Sequence, residues 1–127
     1  MNLQPFVSVD GTPFSVTQDE IRGALGEPAK TIRNGVGLNE LDYETVVFRF
    51  QDCGKLEEIT TQASVVDLGA VAVPFAALQN FVRDQDPLSF ERVGFLISPR
   101  FGLAFAPDCP AWVTALAAHC IESWREL

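Results

Sequence analysis

The stretch from Tyr43 to Thr61, YETVVFRFQDCGKLEEITT, constrains the fold more than any other part of the chain. Two runs rich in β-branched and aromatic residues flank Gln51-Asp52-Cys53-Gly54, residue types that tolerate the backbone angles of a reversal. The pattern predicts a β-hairpin. In its first strand Val46, Phe48 and Phe50 share one face while Tyr43, Thr45, Val47 and Arg49 share the other, so the first face is the expected core side. In the return strand Leu56 and Ile59 fall on opposite parity, which requires either a bulge or partial cover on both faces.

Upstream, Thr17-Gln18-Asp19-Glu20 is a capping box, with Val16 and Ile21 placed as a hydrophobic staple. A helix is expected from Gln18, with Ile21, Ala24 and Leu25 on one face, Gly26 as its left-handed cap and Pro28 as its stop. Before it, Phe6, Val7 and Val9 lead into Asp10-Gly11 as a short strand or extended arm ending in a turn. After it, Ala29 to Asn39 carries Gly35, Gly37 and two Asn with weak periodicity, and reads as an irregular connection.

Ser64 to Val73 is apolar and β-branched, with Gly69 as a bend between two extended pieces. Pro74 then suits the first turn of a second helix, on which Phe75, Leu78, Phe81 and Val82 share a face and which ends near Asp84. Val93 to Ile97, the turn Ser98 to Gly102, and Leu103 to Phe105 form a second expected hairpin. From Pro110 the residues Val113, Leu116, Ala117, Cys120, Ile121 and Trp124 recur at spacings of three and four, which predicts an amphipathic helix over about 110–126 lying on a sheet.

Matching Gly54 with Gly102 superposes Val47 on Phe95 and Phe48 on Leu96, so the chain reads as one unit used twice. The predicted fold class is α+β: two helix-plus-β-hairpin repeats, about 6–63 and 64–106, form an antiparallel sheet on which a C-terminal amphipathic helix packs. At 127 residues and 47% hydrophobic content, a single domain with one substantial core is expected over 1–127.

The first half, TQDEIRGALGEP followed by YETVVFRFQDCGKLEEI, resembles the SmpA/OmlA outer-membrane lipoproteins and the β-lactamase-inhibitory-protein repeat. In those proteins a short helix ending in Leu-Gly-x-Pro precedes an antiparallel sheet, and here Leu25-Gly26-Glu27-Pro28 carries the match. No lipobox cysteine or export signal accompanies it, so membrane anchoring does not carry over. The tandem layout, small size and acidity are also similar to those of bacterial immunity proteins that neutralise polymorphic or contact-delivered toxins.

Seventeen acidic against nine basic side chains leave a formal charge of -8, which repels nucleic-acid phosphate and anionic lipid and favours encounter with a basic protein surface. Neither nucleic acid nor membrane is an expected partner. Cys53, Cys109 and Cys120 cannot all pair and show no zinc-type spacing; no basic n-region opens the chain and no long apolar run follows, so a reducing, cytoplasmic setting is expected, with no cofactor and no metal. His119, the only histidine, sits on the predicted last helix beside Trp112 and Ala115, at the border of its apolar face. Its neighbour Cys120 points to a different helical azimuth, which makes a nucleophile pair awkward. Cys109 at a helix start has the setting for a lowered pKa, but nothing supplies an oxyanion hole.

No catalytic residue is therefore assigned. The expected function is a non-enzymatic binding module, most concretely an immunity protein that covers the active site of a basic cognate toxin. Its contact is placed on the carboxylates Glu40, Asp42, Glu44, Asp52, Glu57 and Glu58, with Arg100 and Phe101 at the second turn. The alternative is a small-molecule-binding protein or enzyme using a pocket between the sheet and the last helix, lined by Phe48, Phe95, Trp112 and His119. A self-associating homodimer is a third reading.

Overall fold

The structure is a computed structural model describing residues 1–127. A small antiparallel sheet opens the chain, built of β1 (Leu3–Gln4), β2 (Ser8–Val9) and β3 (Thr12–Pro13). Helix α1 (Gln18–Leu25) follows with its expected cap: the Thr17 N–H donates to the Glu20 carboxylate at 3.0 Å and the Glu20 N–H donates to Thr17 Oγ1 at 3.1 Å. Such a box ties down two amides that the helix itself cannot satisfy. Only Ile21 of α1 is buried; Leu25 is half exposed and does not join the core.

A first four-stranded meander then runs through β4 (Lys30–Arg33), β5 (Asn39–Asp42), β6 (Val46–Phe50) and β7 (Leu56–Gln62). After it come the short hairpin of β8 (Val65–Asp67) and β9 (Ala72–Pro74) and helix α2 (Phe75–Gln85). A second meander follows through β10 (Phe90–Arg92), β11 (Phe95–Ser98), β12 (Leu103–Phe105) and β13 (Trp112–Leu116), and helix α3 (Cys120–Arg125) ends the chain. The meanders join where β13 pairs with β7, giving one antiparallel eight-stranded sheet in the order β10-β11-β12-β13-β7-β6-β5-β4. The fold is thus α+β. Each of α1 and α2 precedes a meander of four strands rather than a single hairpin.

Two expectations are corrected. The helix predicted over 110–126 is a central strand followed by a short helix. Trp112 to Leu116 lies between β12 and β7, and from Val113 onward every residue of the strand is buried. A strand covered on both faces has no polar alternation to betray it, and an apolar run of that kind satisfies helical spacing by accident. The supposedly irregular Ala29 to Asn39 contains β4 and the start of β5. All four residues of β4 are exposed, so this edge strand has no buried parity for its sequence to display.

The two hairpins read from sequence form as expected. In the first, the Gln51 N–H donates to the Lys55 carbonyl at 2.8 Å and Gly54 adopts φ +94°. Gly102 plays the same part in the second with φ +62°, and Phe6 leaves no room there for a Cβ. One sheet face carries Leu41, Phe48, Phe50, Leu56, Ile59, Leu96, Leu103, Phe105, Val113 and Ala115, and the cluster they form includes Ile21 of α1, Leu78 and Val82 of α2, and Leu3 and Val9 of the small sheet. Each fully buried side chain of this size contributes roughly 1.5–3 kcal/mol. The opposite face holds a smaller cluster of Ile97, Ala104 and Leu116 beneath Cys120 and Ile121 of α3. Beside that cluster the face turns polar.

Candidate functional site

The site begins with an irregularity in β7. Arg49 pairs with Glu58 and Phe50 with Leu56, so Glu57 is an extra residue opposite nothing. Of the two readings left open by the parity of Leu56 and Ile59, the bulge is the one realised, and it sends both apolar side chains to the core. Glu57 and Glu58 then point together to the other face, where α3 lies. The Ala117 N–H donates to the Glu57 carbonyl at 2.9 Å, which fixes the approach of the chain into α3. Cys120 and Ile121 are buried beneath it, and Trp124 packs on Phe95 with ring centroids 5.3 Å apart.

Between α3 and the β4–β5 turn lies a groove of about 460 Å³. Arg49, Gln51, Glu57 and Glu58 line it from the sheet, Asn34, Val36, Gly37 and Leu38 contribute from the turn, and Cys120, Ser123, Trp124 and Leu127 from the C-terminal segment. Arg49 organises one half. Its guanidinium meets Glu40 at 3.1 Å and Glu58 at 3.5 Å and donates to Thr60 Oγ1, which is 2.8 Å from Thr114 Oγ1. The indole of Trp124 donates to Glu58 Oε2 at 3.1 Å.

Glu57 organises the other half. His119 Nε2 lies 2.7 Å from its Oε1, the Cys120 thiol donates to its Oε2 at 2.6 Å, and Gln51 Nε2 donates to Oε1. Burial works to raise the Glu57 pKa, but the hydrogen bonds from Cys120, Gln51 and His119, with the His119 charge, hold it below its ordinary value. For Glu58 burial wins over the Arg49 charge and the Trp124 hydrogen bond, and its pKa is raised. Burial, the bond to Glu57 and the two carboxylate charges push the Cys120 thiol far up, so it stays protonated. A protonated thiol that donates to a carboxylate is no nucleophile. Glu57, His119 and Cys120 nevertheless bring three ligand atoms of different chemistry within 4.8 Å of one another.

The expected contact residues divide between this site and other places. Glu57 and Glu58 line the groove, and Glu40 supports it through Arg49 and Asn34. Asp42 faces Lys30 at 3.8 Å and accepts from the Glu44 N–H, while Glu44 is exposed in a left-handed turn with φ +74°. Asp52 is exposed but held by both nitrogens of Arg33 and by Asn39. Arg100 and Phe101 lie at the second turn: the guanidinium sits 5.1 Å above the Phe101 ring, and that ring packs on Phe81. Phe101 is thus half-buried against the core rather than a free tip.

The groove does lie between the sheet and the last helix, yet none of Phe48, Phe95, Trp112 and His119 lines it. Phe48 is in the core on the far face. Sequence reading missed Arg49, Gln51, Asn34 and Trp124 as site residues, although Arg49 on the non-core face of an apolar strand was a signal. It also missed Asp86, buried and accepting from Ser98 Oγ at 2.7 Å and the Arg100 N–H at 3.0 Å, which ties the end of α2 to the second hairpin. No helix is long and apolar enough to cross a membrane. The chain matches no protein family, no curated protein and no solved structure.

Proposed function

We propose that the chain is a non-enzymatic protein-binding module of the immunity type, which blocks a cognate toxin by seating a basic side chain of that partner in the groove. One observation carries the reading: Glu57 and Glu58 line the groove beside apolar walls, and its one lining arginine, Arg49, is shared between Glu58 and Glu40, so carboxylates outnumber guanidinium there. A lysine or arginine suits such a place, its stem against Val36, Leu38 and Trp124 and its head toward the carboxylates. The formal charge of -8 would steer the encounter. The protonated Cys120 thiol speaks against nucleophilic catalysis. In this reading the two helix-and-meander halves are tandem repeats, and the exposed carboxylates Glu44 and Asp52, with the partly buried Asp42, form the rim of the contact.

The test is co-expression with the protein encoded by the adjoining reading frame. Relief of that protein's toxicity, with Glu57→Gln and Glu58→Gln weakening the isolated complex by about tenfold or more, is the expected result. An adjoining product that is harmless, or a complex indifferent to both substitutions, overturns the reading. A second reading, a small-molecule site, is favoured by the groove's volume, which falls within the roughly 300–1,000 Å³ of ligand pockets. A metabolite that stabilises the chain against heat and loses that effect in Trp124→Ala would support it.

A further inference from the structure

We propose that Glu57, His119 and Cys120 form a binding site for one thiophilic divalent cation, with zinc the ion its ligands suit best. The donors are a thiol sulfur, an imidazole nitrogen and a carboxylate oxygen, contributed by two segments 62 residues apart and converging within 4.8 Å. Calcium and magnesium take oxygen ligands, whereas a set of sulfur, nitrogen and oxygen selects zinc and its close mimic cobalt. Three protein ligands leave one tetrahedral position open, and here Glu57 and Cys120 both border the groove, so water has access to it.

The present contacts of 2.6 and 2.7 Å are hydrogen bonds, in which Glu57 receives what an ion would replace. Ligands about 2.0–2.3 Å from one zinc ion stand roughly 3.3–3.7 Å apart, so these two contacts to Glu57 must lengthen by about 1 Å. With the Glu57 side chain 12% exposed and that of His119 30% exposed, rotamer adjustment suffices. On binding, the Cys120 S–H bond breaks, its electron pair goes to the metal and the proton leaves to solvent; nothing is oxidised or reduced. The proton that His119 Nε2 now turns toward Glu57 passes to Nδ1 or to solvent, and the freed Nε2 lone pair coordinates the ion.

The surroundings are those of a supported site. Gln51 Nε2 holds Glu57 Oε1, and the Glu57 backbone is pinned by the Ala117 N–H, so the carboxylate is oriented from behind. Glu58 and Glu40, which share Arg49 as their one cationic partner, add a field that favours a divalent cation. Cys120 is the buried thiol; Cys53 and Cys109 are exposed.

The experiment is titration of the full chain, first stripped with a chelator, with Co²⁺ followed by absorption and with Zn²⁺ followed by calorimetry. One-to-one binding, a near-ultraviolet thiolate-to-cobalt band and release of at least one proton are expected. Cys120→Ser removes the band and weakens zinc binding by at least about 100-fold, His119→Gln acts in the same direction, and Gln51→Ala costs about tenfold as an outer partner. The Cys53→Ser/Cys109→Ser double variant binds as the parent does. Folding of each variant is checked by circular dichroism, and the cobalt band of the parent chain stands independently of any variant. Absence of saturable one-to-one binding, binding unchanged in Cys120→Ser, or a band that disappears only in the double variant overturns the proposal.

Discussion

Arg49→Met removes the one cation that stands between Glu40 and Glu58 while keeping most of the side-chain stem. At 3.1 and 3.5 Å, each pair attracts with about 5 kcal/mol gross at an effective dielectric constant of about 20. Desolvation cancels much of that, and breaking a fully buried pair by removing one partner costs about 3–5 kcal/mol in practice. Here the side chains keep 20%, 18% and 14% exposure, so water screens part of the loss and about 2–4 kcal/mol is expected. For a chain of this size that lowers Tm by roughly 6–20 °C. Glu58→Gln alone should change stability by less than about 1 kcal/mol, because burial already disfavours its charge. Added to Arg49→Met it should restore about 1–2 kcal/mol, since one of the two stranded carboxylates then carries no charge. Urea denaturation of the four proteins of this cycle measures the coupling. An Arg49→Met protein within about 0.5 kcal/mol of the parent, or strict additivity in the double variant, refutes the reasoning.

Hydrogen exchange should find the amides of Val113 to Leu116 among the slowest in the chain, since β13 is paired on both sides, and those of Glu122 to Arg125 among the fastest; equal rates in the two segments would contradict the central strand. Asp86→Ala should cost about 2–3 kcal/mol in chemical denaturation, because it takes the acceptor away from the Ser98 O–H and the Arg100 N–H, and a loss below about 0.5 kcal/mol would show that water replaces the carboxylate. The Asp52 carboxylate should titrate below its ordinary range by NMR, the hydrogen bonds from Arg33 and Asn39 being the cause. Because its folded pKa is depressed, its small contribution to stability is present above the unfolded value and is lost as pH falls through the folded one. Arg33→Ala should move that titration upward, and an unmoved midpoint would exclude the pair as its cause.

The elements legible in the sequence are those whose signals are local. The Thr17–Glu20 box, the reversals at Gly54 and Gly102 and the apolar stripe of α2 each depend on residues within a few positions of one another, and each forms as read. β13 was not legible because Trp-Val-Thr-Ala-Leu carries no period of two once both faces are covered, and the same apolar spacing continues into α3. β4 failed for the opposite reason, having no buried face at all. The site was half visible. Glu57 and Glu58 stood out as acidic, but their partners come from Arg49 across the strand pair and from His119 and Cys120 after β13. Placed in the middle of a long helix, His119 and Cys120 diverge; placed at its first turn, with His119 at φ -72° and ψ -12°, both reach Glu57.

The bulge at Glu57 links the core to the groove. In regular pairing Leu56 and Ile59 would face opposite sides of the sheet, and one of the two would leave the core. The extra residue keeps both inside and turns two adjacent carboxylates to one face, an arrangement that regular alternation forbids. Two neighbouring negative charges there repel, and the fold answers with separate partners: Arg49 and Trp124 for Glu58, and Gln51, His119 and Cys120 for Glu57. Trp124, His119 and Cys120 hold α3 against β7, so whatever cation enters the groove, a partner's side chain or a metal ion, must exchange places with contacts that also hold the end of the chain in position. Binding at this site and docking of α3 are for that reason energetically coupled.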